Sequence, residues 1–334
     1  MRVILQSLLL AVAGIMAACS SLSSHGPVSA GIMRQLDSRA ITKSEFIERL
    51  KSPALLAALK PAQPTVTLPF KMIAGVPCIE ATVGQGKTIQ MMIDTGAARV
   101  MMHAGTAAKH GFPIVRADQA QVTMVGIVGN EQGRLGIAAP LQLGSWEMVG
   151  YPCFIRTQEN RILGAQLPEN ILGFDLPSHS CSYLTLDYRK RLVTFGFSGL
   201  FTPQADKKSS YAPFVIIGDV PFIIAESKGQ RWKSLVDTGS FNGIEIDETV
   251  ARKLAVQDKG KPVVGLYLAA VGGTVSSAAA KLRTVTLPNI DLLGGNYAKP
   301  EIDISPGIPR VGSFFLKDYC VTFDFRRKRI CLQW

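Results

Sequence analysis

The sequence has few acidic residues and few charged residues altogether. Of its 334 residues, 25 are Asp or Glu and 36 are Lys or Arg, which gives a formal net charge of +11 at pH 7. Charged residues make up 18% and hydrophobic residues 47%, a composition that excludes an intrinsically disordered chain. The length predicts two domains or one large bilobal unit that can bury a full core. The positive charge is typical of proteins that bind nucleic acid or lie at an anionic membrane surface.

Histidine is rarer still, and nothing in the sequence has the spacing of a metal site. The chain has four histidines, and they have neither the ligand spacing nor the cysteine pairing of a zinc site. We therefore predict no bound metal.

The first 18 residues have the features of a secretory signal peptide. Arg2 is the only charged residue before Arg34, and residues 3–18 are nearly all apolar. The run is shorter than the roughly 20 residues of a transmembrane helix, and it has the short positive start of a signal peptide. We predict that residues 1–18 are removed on export.

The sequence Met-Ala-Ala-Cys at 16–19 resembles a bacterial lipobox. This resemblance implies that Cys19 is acylated and becomes the first residue of the mature chain, anchored by its lipid to a membrane. Ser20 after the cysteine resembles the pattern of lipoproteins sent to the outer membrane. We therefore expect a lipid-anchored protein of the bacterial cell envelope, in the outer membrane and facing the periplasm. The alternative is an ordinary signal peptide cut after Ala18.

Residues 19–65 are predicted to be a tether with a short helix. A helical pattern runs over residues 38–60, and Pro61 and Pro64 end it. The alternative is a pro-segment that covers a cleft.

The remainder of the chain consists of two internal repeats of one unit. Residues 70–77 match residues 214–221, and each copy leads after 16 or 17 residues to an Asp-Thr-Gly triplet, at Asp94 and at Asp237. Ile-Leu-Gly at 171–173 matches Val-Gly at 311–312, and the order of matched features is the same in both copies. We predict an N-terminal lobe at 66–198, a linker at 199–212 and a C-terminal lobe at 213–334.

The pattern of both copies predicts β-structure. Short runs rich in Val, Ile, Phe and Tyr alternate with Gly and Pro turns, and each half has two short helical stretches. Strands do not alternate with long helices, so a doubly wound α/β sheet is excluded.

Two aspartates in equivalent strand-end triplets can form a catalytic pair. Carboxylates about 3 Å apart cannot both ionise, so they share one proton. One then acts as base on a water molecule while the other donates a proton to a substrate carbonyl. We predict Asp94 and Asp237 as this pair.

The residues next to each aspartate fit this chemistry. Thr95 and Thr238 have short hydroxyls that can cross between the two loops, and Gly96 and Gly239 let the backbone approach the carboxylates closely. In the fourth position Ala97 has no hydroxyl, whereas the Ser240 hydroxyl can bond Asp237. We therefore predict that Asp237 is the more easily ionised member.

These motifs resemble those of aspartic peptidases of the pepsin and retropepsin clan. The residues that carry the resemblance are Asp94-Thr95-Gly96-Ala97 with Ile171-Leu172-Gly173, and Asp237-Thr238-Gly239-Ser240 with Val311-Gly312. Arg310 departs from the pattern because an apolar residue is expected there. The resemblance implies an all-β bilobal acid-protease fold of two pseudo-symmetric retropepsin-like β-barrel lobes with short helices. It also implies psi-shaped loops, no cofactor, and a monomer that completes the aspartate pair within one chain.

The same analogy assigns a flap to each half, where backbone groups bind an extended peptide by strand addition. The flap candidates are Gly126, Ile127, Val128 and Gly129 in the first half, and Val271, Gly272 and Gly273 in the second. The alternative is that these glycines mark simple turns.

Five cysteines remain if Cys19 is acylated, and export permits disulfides. Cys320 and Cys331 flank a hairpin and can pair across it, while Cys181 and Cys320 are equivalent in the repeat and can meet between the lobes. The sequence leaves both pairings open.

Together these features predict an envelope-anchored aspartic endopeptidase that cleaves an extended peptide or protein. The basic runs at 189–191 and 326–329 follow Asp187 and Asp324 at tight turns, so we expect no nucleic acid partner. One alternative is a non-catalytic lipoprotein that binds peptides or cell-wall fragments on the same fold. Another is hydrolysis of a non-protein amide in the same cleft.

Overall fold

The fold is built almost entirely of β-strands. The computed structural model describes residues 23–84, 86–162, 165–166 and 168–334, so the signal segment 1–18 and Cys19 lie outside the described residues. Within these ranges, no helix is long and apolar enough to cross a membrane. The expected all-β class with a few short helices is confirmed.

The segment before the first lobe is packed against that lobe. Its elements are β1 (Ser23–Pro27), α1 (Ala30–Asp37), β2 (Ala40–Ile41), α2 (Lys43–Leu50) and α3 (Pro53–Ala58). A capping box between Thr42 and Glu45 starts α2. Each helix packs on the lobe through one buried side chain: Leu36 in α1, Phe46 in α2 and Leu55 in α3.

This packing differs from the tether with one short helix that the sequence predicted for 19–65. The segment forms three helices because the apolar face of each one packs against the core of the lobe. The Trp146 indole also donates a hydrogen bond to the Ala58 carbonyl at 2.8 Å. Among the described residues that line the cleft between the lobes, none belongs to this segment.

The N-terminal lobe consists of short β-strands and two short helices. Its elements are β3 (Thr65–Ile73), β4 (Val76–Val83), β5 (Lys87–Asp94), β6 (Met101–His103), α4 (Ala104–His110), β7 (Ile114–Val115), β8 (Val122–Val125), β9 (Asn130–Ile137), β10 (Leu141–Leu143), β11 (Trp146–Met148), β12 (Pro152–Arg156), β13 (Gln158–Ile162), β14 (Ala165–Gln166), β15 (Ile171–Gly173), α5 (Asp175–Ser180), β16 (Tyr183–Asp187) and β17 (Leu192–Gly196).

The C-terminal lobe repeats much of this order. Its elements are β18 (Ser209–Pro213), β19 (Val215–Ile217), β20 (Val220–Ser227), β21 (Gln230–Asp237), β22 (Ile244–Ile246), α6 (Glu248–Lys253), β23 (Lys261–Pro262), β24 (Tyr267–Ala270), β25 (Gly273–Ser276), β26 (Arg283–Thr286), β27 (Asn289–Leu292), β28 (Gly295–Ala298), β29 (Glu301–Ile304), β30 (Arg310–Gly312), α7 (Ser313–Leu316), β31 (Cys320–Asp324) and β32 (Arg329–Gln333).

One antiparallel sheet joins the two lobes. Its strand order is β3-β17-β16-β31-β32-β18, so each lobe contributes three strands. At the centre Thr185 lies opposite Thr322, and their hydroxyl oxygens are 2.8 Å apart. Strand β18 lies within the stretch predicted as a linker at 199–212, because its residues pair with β32. The connection without strand structure therefore ends at Lys208.

The five cysteines that the structure describes are all free and buried: Cys78, Cys153, Cys181, Cys320 and Cys331. Cys320 lies opposite Gln333 in the β31–β32 hairpin, and Cys331 lies opposite Thr322. Neither of the two pairings that the sequence left open is formed.

Candidate active site

Each Asp-Thr-Gly triplet begins at the end of a buried strand. Strand β5 ends at Asp94 and runs parallel to β15, with Gly173 opposite the aspartate. In the other lobe β21 ends at Asp237 and runs parallel to β30, with Gly312 opposite. Both glycines are required, since a Cβ on Gly173 would collide with the Arg99 backbone and a Cβ on Gly312 with the Asn242 carbonyl. In each lobe the aspartate strand therefore lies beside the strand that carries the predicted psi-loop residues.

The two threonines tie the loops to each other. Thr95 is 1% exposed and Thr238 is fully buried. Each hydroxyl accepts the backbone N–H of the other threonine, at 3.0 and 3.1 Å. Each also donates to a carbonyl of the opposite lobe, Thr95 to Val236 at 2.6 Å and Thr238 to Ile93 at 2.7 Å. Four hydrogen bonds therefore hold the loops in a fixed relation.

These hydrogen bonds bring the two carboxyl groups together at the floor of the cleft. Oδ1 of Asp94 accepts hydrogen bonds from the N–H groups of Gly96 and Ala97, at 2.8 and 3.1 Å. Oδ1 of Asp237 accepts from Gly239 and Ser240, at 3.0 and 3.1 Å.

The glycine of each Asp-Thr-Gly triplet faces the aspartate of the opposite lobe. A Cβ built on Gly96 would lie 2.6 Å from the Asp237 carboxyl carbon, and a Cβ on Gly239 would collide with the Asp94 carboxyl group. Glycine is therefore the residue that lets the two carboxyl groups approach.

The two aspartates are not electrostatically equal. Burial raises the pKa of Asp94 well above its usual value, and the neighbouring Asp237 raises it further by charge repulsion and by a hydrogen bond that Asp94 donates. Burial also raises the pKa of Asp237, but the Arg310 guanidinium and the hydrogen bond from Asp94 oppose this rise. The two carboxyl groups therefore titrate as a unit and share one proton.

The contacts of Asp237 differ from those on which the prediction of its greater acidity relied. The Ser240 hydroxyl does not bond Asp237; it donates instead to Oε2 of Glu245 at 3.0 Å. Only the Ser240 backbone N–H reaches Asp237. The side chain that acidifies Asp237 is Arg310, which the sequence showed only as a departure from the apolar motif.

The two predicted flaps are hairpins that meet over the cleft. Residues 126–129 form the turn between β8 and β9, and residues 271–272 the turn between β24 and β25. There is no room for a side chain on Gly126, because its Cβ would collide with the Val271 carbonyl, and Gly272 lies equally close to the Gly129 backbone. The flap tips therefore touch each other.

The cleft has a volume of about 610 Å³. Its floor contains Asp94 and Asp237, and its roof contains residues 124–127 and 268–271. Its walls are mostly apolar and include Met92, Met101, Phe154, Ile171, Leu235 and Phe241. Such a cleft suits an extended chain with apolar side chains.

Two buried hydrogen-bonded pairs next to the site motifs were not predicted from the sequence. The Tyr188 hydroxyl lies 3.1 Å from the Ser313 hydroxyl, which donates at 2.7 Å to the Thr238 carbonyl. Tyr151 donates to Asp175 at 3.1 Å, and burial raises the pKa of Asp175 to about 6. Asp175 lies two residues after Gly173, and this position next to the psi motif is a signal that could have identified it.

Among the residues that the structure describes, no cluster of three His, Cys, Asp or Glu side chains could hold a metal ion.

Comparison with known proteins supports the same family. Residues 79–176, which include Asp94 and the Ile171–Gly173 strand, match the family model described as aspartyl protease. The resemblance to the aspartic peptidases is confirmed. A search of curated protein sequences finds no match. Among solved structures the chain is similar to the aspartic proteinase from Irpex lacteus, with 13% identity, a TM-score of 0.48, and coverage of 80% of this chain and 96% of that one.

Proposed function

We propose that this protein is an aspartic endopeptidase in which Asp94 and Asp237 hydrolyse a peptide bond. The Asp237 carboxylate takes a proton from a water molecule, whose oxygen forms a bond to the peptide carbonyl carbon. The π electron pair of the carbonyl moves to its oxygen, which takes the proton of Asp94. When the C–N bond breaks, the leaving nitrogen takes the proton from Asp237, and Asp94 regains a proton from the intermediate.

The observation that carries this proposal is the pairing of the two carboxyl groups at the floor of a roofed cleft. The pair is hydrogen-bonded to itself and surrounded by backbone donors, and the Thr95–Thr238 network fixes its geometry. A site that only binds peptides has no need for two carboxyl groups in contact, because their mutual repulsion opposes folding.

The cleft supports an extended peptide as the substrate. It runs between the lobes under two hairpins, and a peptide there can add hydrogen bonds to their backbone as a strand does. Apolar walls on both sides of the aspartates favour apolar side chains next to the cleaved bond.

The test is cleavage of an unbiased peptide mixture from about pH 3 to about pH 8. Asp94→Asn and Asp237→Asn should each lower the rate at least about 100-fold, with the fold intact by circular dichroism. The matched control is Asp291→Asn, an exposed aspartate of β27 that bonds Asn296 and should leave cleavage unchanged. Cleavage that survives either dyad substitution would contradict the mechanism.

The same assay separates two other functions of the cleft. Wild-type protein that binds peptides or cell-wall fragments without cleaving them would be the non-catalytic lipoprotein. Cleavage of cell-wall fragments but not of peptides would indicate a non-protein amide as the substrate.

We further propose that the enzyme acts as a monomer anchored through Cys19 to the outer membrane, facing the periplasm. The signal-like residues 1–18 and the Met-Ala-Ala-Cys sequence support this. Mass spectrometry of the mature N-terminus should find a diacylglyceryl and an acyl group on Cys19. A Cys19→Ala variant should appear in the soluble fraction, and an unmodified Cys19 would contradict the anchor.

A further inference from the structure

The two lobes differ at one structurally equivalent pair beside the aspartates. In the N-terminal lobe, Ile171 of β15 lies opposite Met101 of β6. In the C-terminal lobe, Arg310 of β30 lies opposite Glu245 of β22. Ile171 and Arg310 are equivalent because each lies two residues before the psi-loop glycine. One lobe therefore has an apolar pair where the other has an ion pair.

The ion pair is buried, and its polar atoms have partners. Arg310 is 2% exposed and Glu245 is fully buried. The guanidinium donates two hydrogen bonds to the Glu245 carboxylate, at 2.5 and 3.1 Å. Asn242 donates to Glu245 at 2.9 Å, as does the Ser240 hydroxyl at 3.0 Å. Such a pair seldom adds stability over apolar residues of similar size, so its presence requires another reason.

Arg310 and Glu245 both lie at the cleft with Asp237. Ser240 links the ion pair to the aspartate, since its N–H bonds Asp237 and its hydroxyl bonds Glu245. The ionisable groups that act on Asp237 are Asp94 beside it, Arg310 and Glu245 behind it, and Tyr188 from the facing lobe. The Arg310 guanidinium lowers the pKa of Asp237, and the Glu245 carboxylate opposes this effect.

We propose that Arg310, oriented by Glu245, is a positioning residue that places the negative charge of the aspartate pair on Asp237 and leaves the proton on Asp94. This inference rests on the proposed function, since it decides which aspartate activates the water. The apolar Ile171–Met101 pair provides no such charge beside Asp94.

Arg310 also holds a loop beneath the first flap. This structural role must be distinguished experimentally from its electrostatic effect on Asp237. The guanidinium donates to the Ser305 hydroxyl at 3.3 Å and to the Pro306 carbonyl at 3.1 Å. Gly307 in the same loop lies against Ile127 of the flap. A purely structural role would therefore change KM and leave the ionisation of Asp237 where it is.

The decisive variant is Glu245→Met/Arg310→Ile, which copies the pair of the other lobe and leaves no buried charge unpaired. Its matched control is Glu131→Met/Arg156→Ile, which removes another buried Arg–Glu pair, with N–O distances of 2.8 and 3.2 Å, from the N-terminal lobe. Arg310→Lys keeps the charge and should retain most of the electrostatic effect.

The first measurement is the ionisation of the aspartates by carboxyl ¹³C NMR, with resonances assigned from Asp94→Asn and Asp237→Asn. In the wild type, Asp237 should ionise first as pH rises. In Glu245→Met/Arg310→Ile its ionisation should move up by about one pH unit or more, whereas the Glu131→Met/Arg156→Ile control should leave it in place. An unmoved Asp237, or Asp94 ionising first in the wild type, would overturn the inference.

The second measurement is the pH profile of kcat/KM for peptide cleavage. Its acidic limb should shift to higher pH in Glu245→Met/Arg310→Ile and return toward the wild type in Arg310→Lys. An acidic limb that stays in place while KM rises would also overturn the inference. The NMR titration needs no cleavage. If the protein cleaves no peptide, the proposed function fails, but the titration still tests the role of Arg310 separately.

Discussion

The crossed hydrogen bonds of Thr95 and Thr238 provide the sharpest test of how the two lobes form one site. Thr95→Val keeps the shape of the side chain and removes its hydroxyl. The buried Val236 carbonyl and the Thr238 N–H then lose their partners. A buried polar group left without a partner costs about 1–3 kcal/mol, so the free energy of unfolding should fall by about 2–6 kcal/mol.

Two companion variants give this prediction its controls. Thr95→Ser keeps the hydroxyl and loses one methyl group, which costs about 1 kcal/mol. Thr238→Val removes the other two hydrogen bonds of the network, to Ile93 and from Thr95. The four bonds are separate but hold the same crossing, so Thr95→Val/Thr238→Val should cost less than the sum of the single variants.

The assay is urea unfolding followed by far-UV circular dichroism, with peptide cleavage measured on the same samples. Cleavage by Thr95→Val should fall at least about 10-fold, because a displaced loop moves one carboxyl group relative to the other. If Thr95→Val and Thr95→Ser lose the same small amount of stability and both keep full activity, the crossing does not hold the site together, and the reasoning is refuted.

Three further predictions concern pH and the flaps. Because burial raises the pKa of Asp175 from 3.8 to about 6, its contribution to stability is complete below the lower value and is lost as pH rises through the upper one. Urea unfolding should therefore show Asp175→Asn gaining about 3 kcal/mol on the wild type between about pH 3 and about pH 8, and parallel stability curves would contradict this. The pKa of Asp94 is also raised, so Asp94→Asn should increase the Tm at neutral pH more than at acidic pH, and an equal Tm shift at both would count against it. Gly272→Val places a side chain against Gly129 at a φ of +90°, so it should lower kcat/KM and, through the strained backbone, also lower the Tm; unchanged kinetics would argue against touching flaps.

The duplicated part of the fold could be predicted from the sequence because each element occurs twice in the same order. A single Asp-Thr-Gly or a single Ile-Leu-Gly is a weak signal, but their repetition at matching distances fixes strand, loop and crossing strand together. The β5–β15 and β21–β30 pairings follow this repeat.

The packed N-terminal segment could not be predicted in the same way. Its helical pattern over 38–60 is visible in the sequence, but only one copy exists, so no internal comparison reveals its partner. The surface that receives it includes the Ala108 carbonyl, which accepts hydrogen bonds from Gln35 and Arg39. Those contacts join residues about 70 positions apart, and no local pattern indicates them.

The predicted hydrogen bond from the Ser240 hydroxyl to Asp237 was wrong for a related reason. From sequence alone the nearest acceptor for its hydroxyl is Asp237, three residues earlier. In the structure, Glu245 of β22 lies close to Ser240 and accepts the hydrogen bond from its hydroxyl. Arg310 holds the Glu245 carboxylate in this position. Glu245 and Arg310 are 65 residues apart, so their pairing is decided by the antiparallel register of β22 and β30.

The departure from the repeat is thus as informative as the repeat itself. Two identical halves would give both aspartates the same surroundings, and only a bound substrate could decide which one carries the proton. Because this single chain encodes its lobes separately, one lobe can have Arg310 with Glu245 while the other keeps Ile171 with Met101. If Arg310 acts as proposed, the fold assigns the base and the acid before any peptide enters the cleft, and a water molecule between the aspartates meets the charged carboxylate on the Asp237 side.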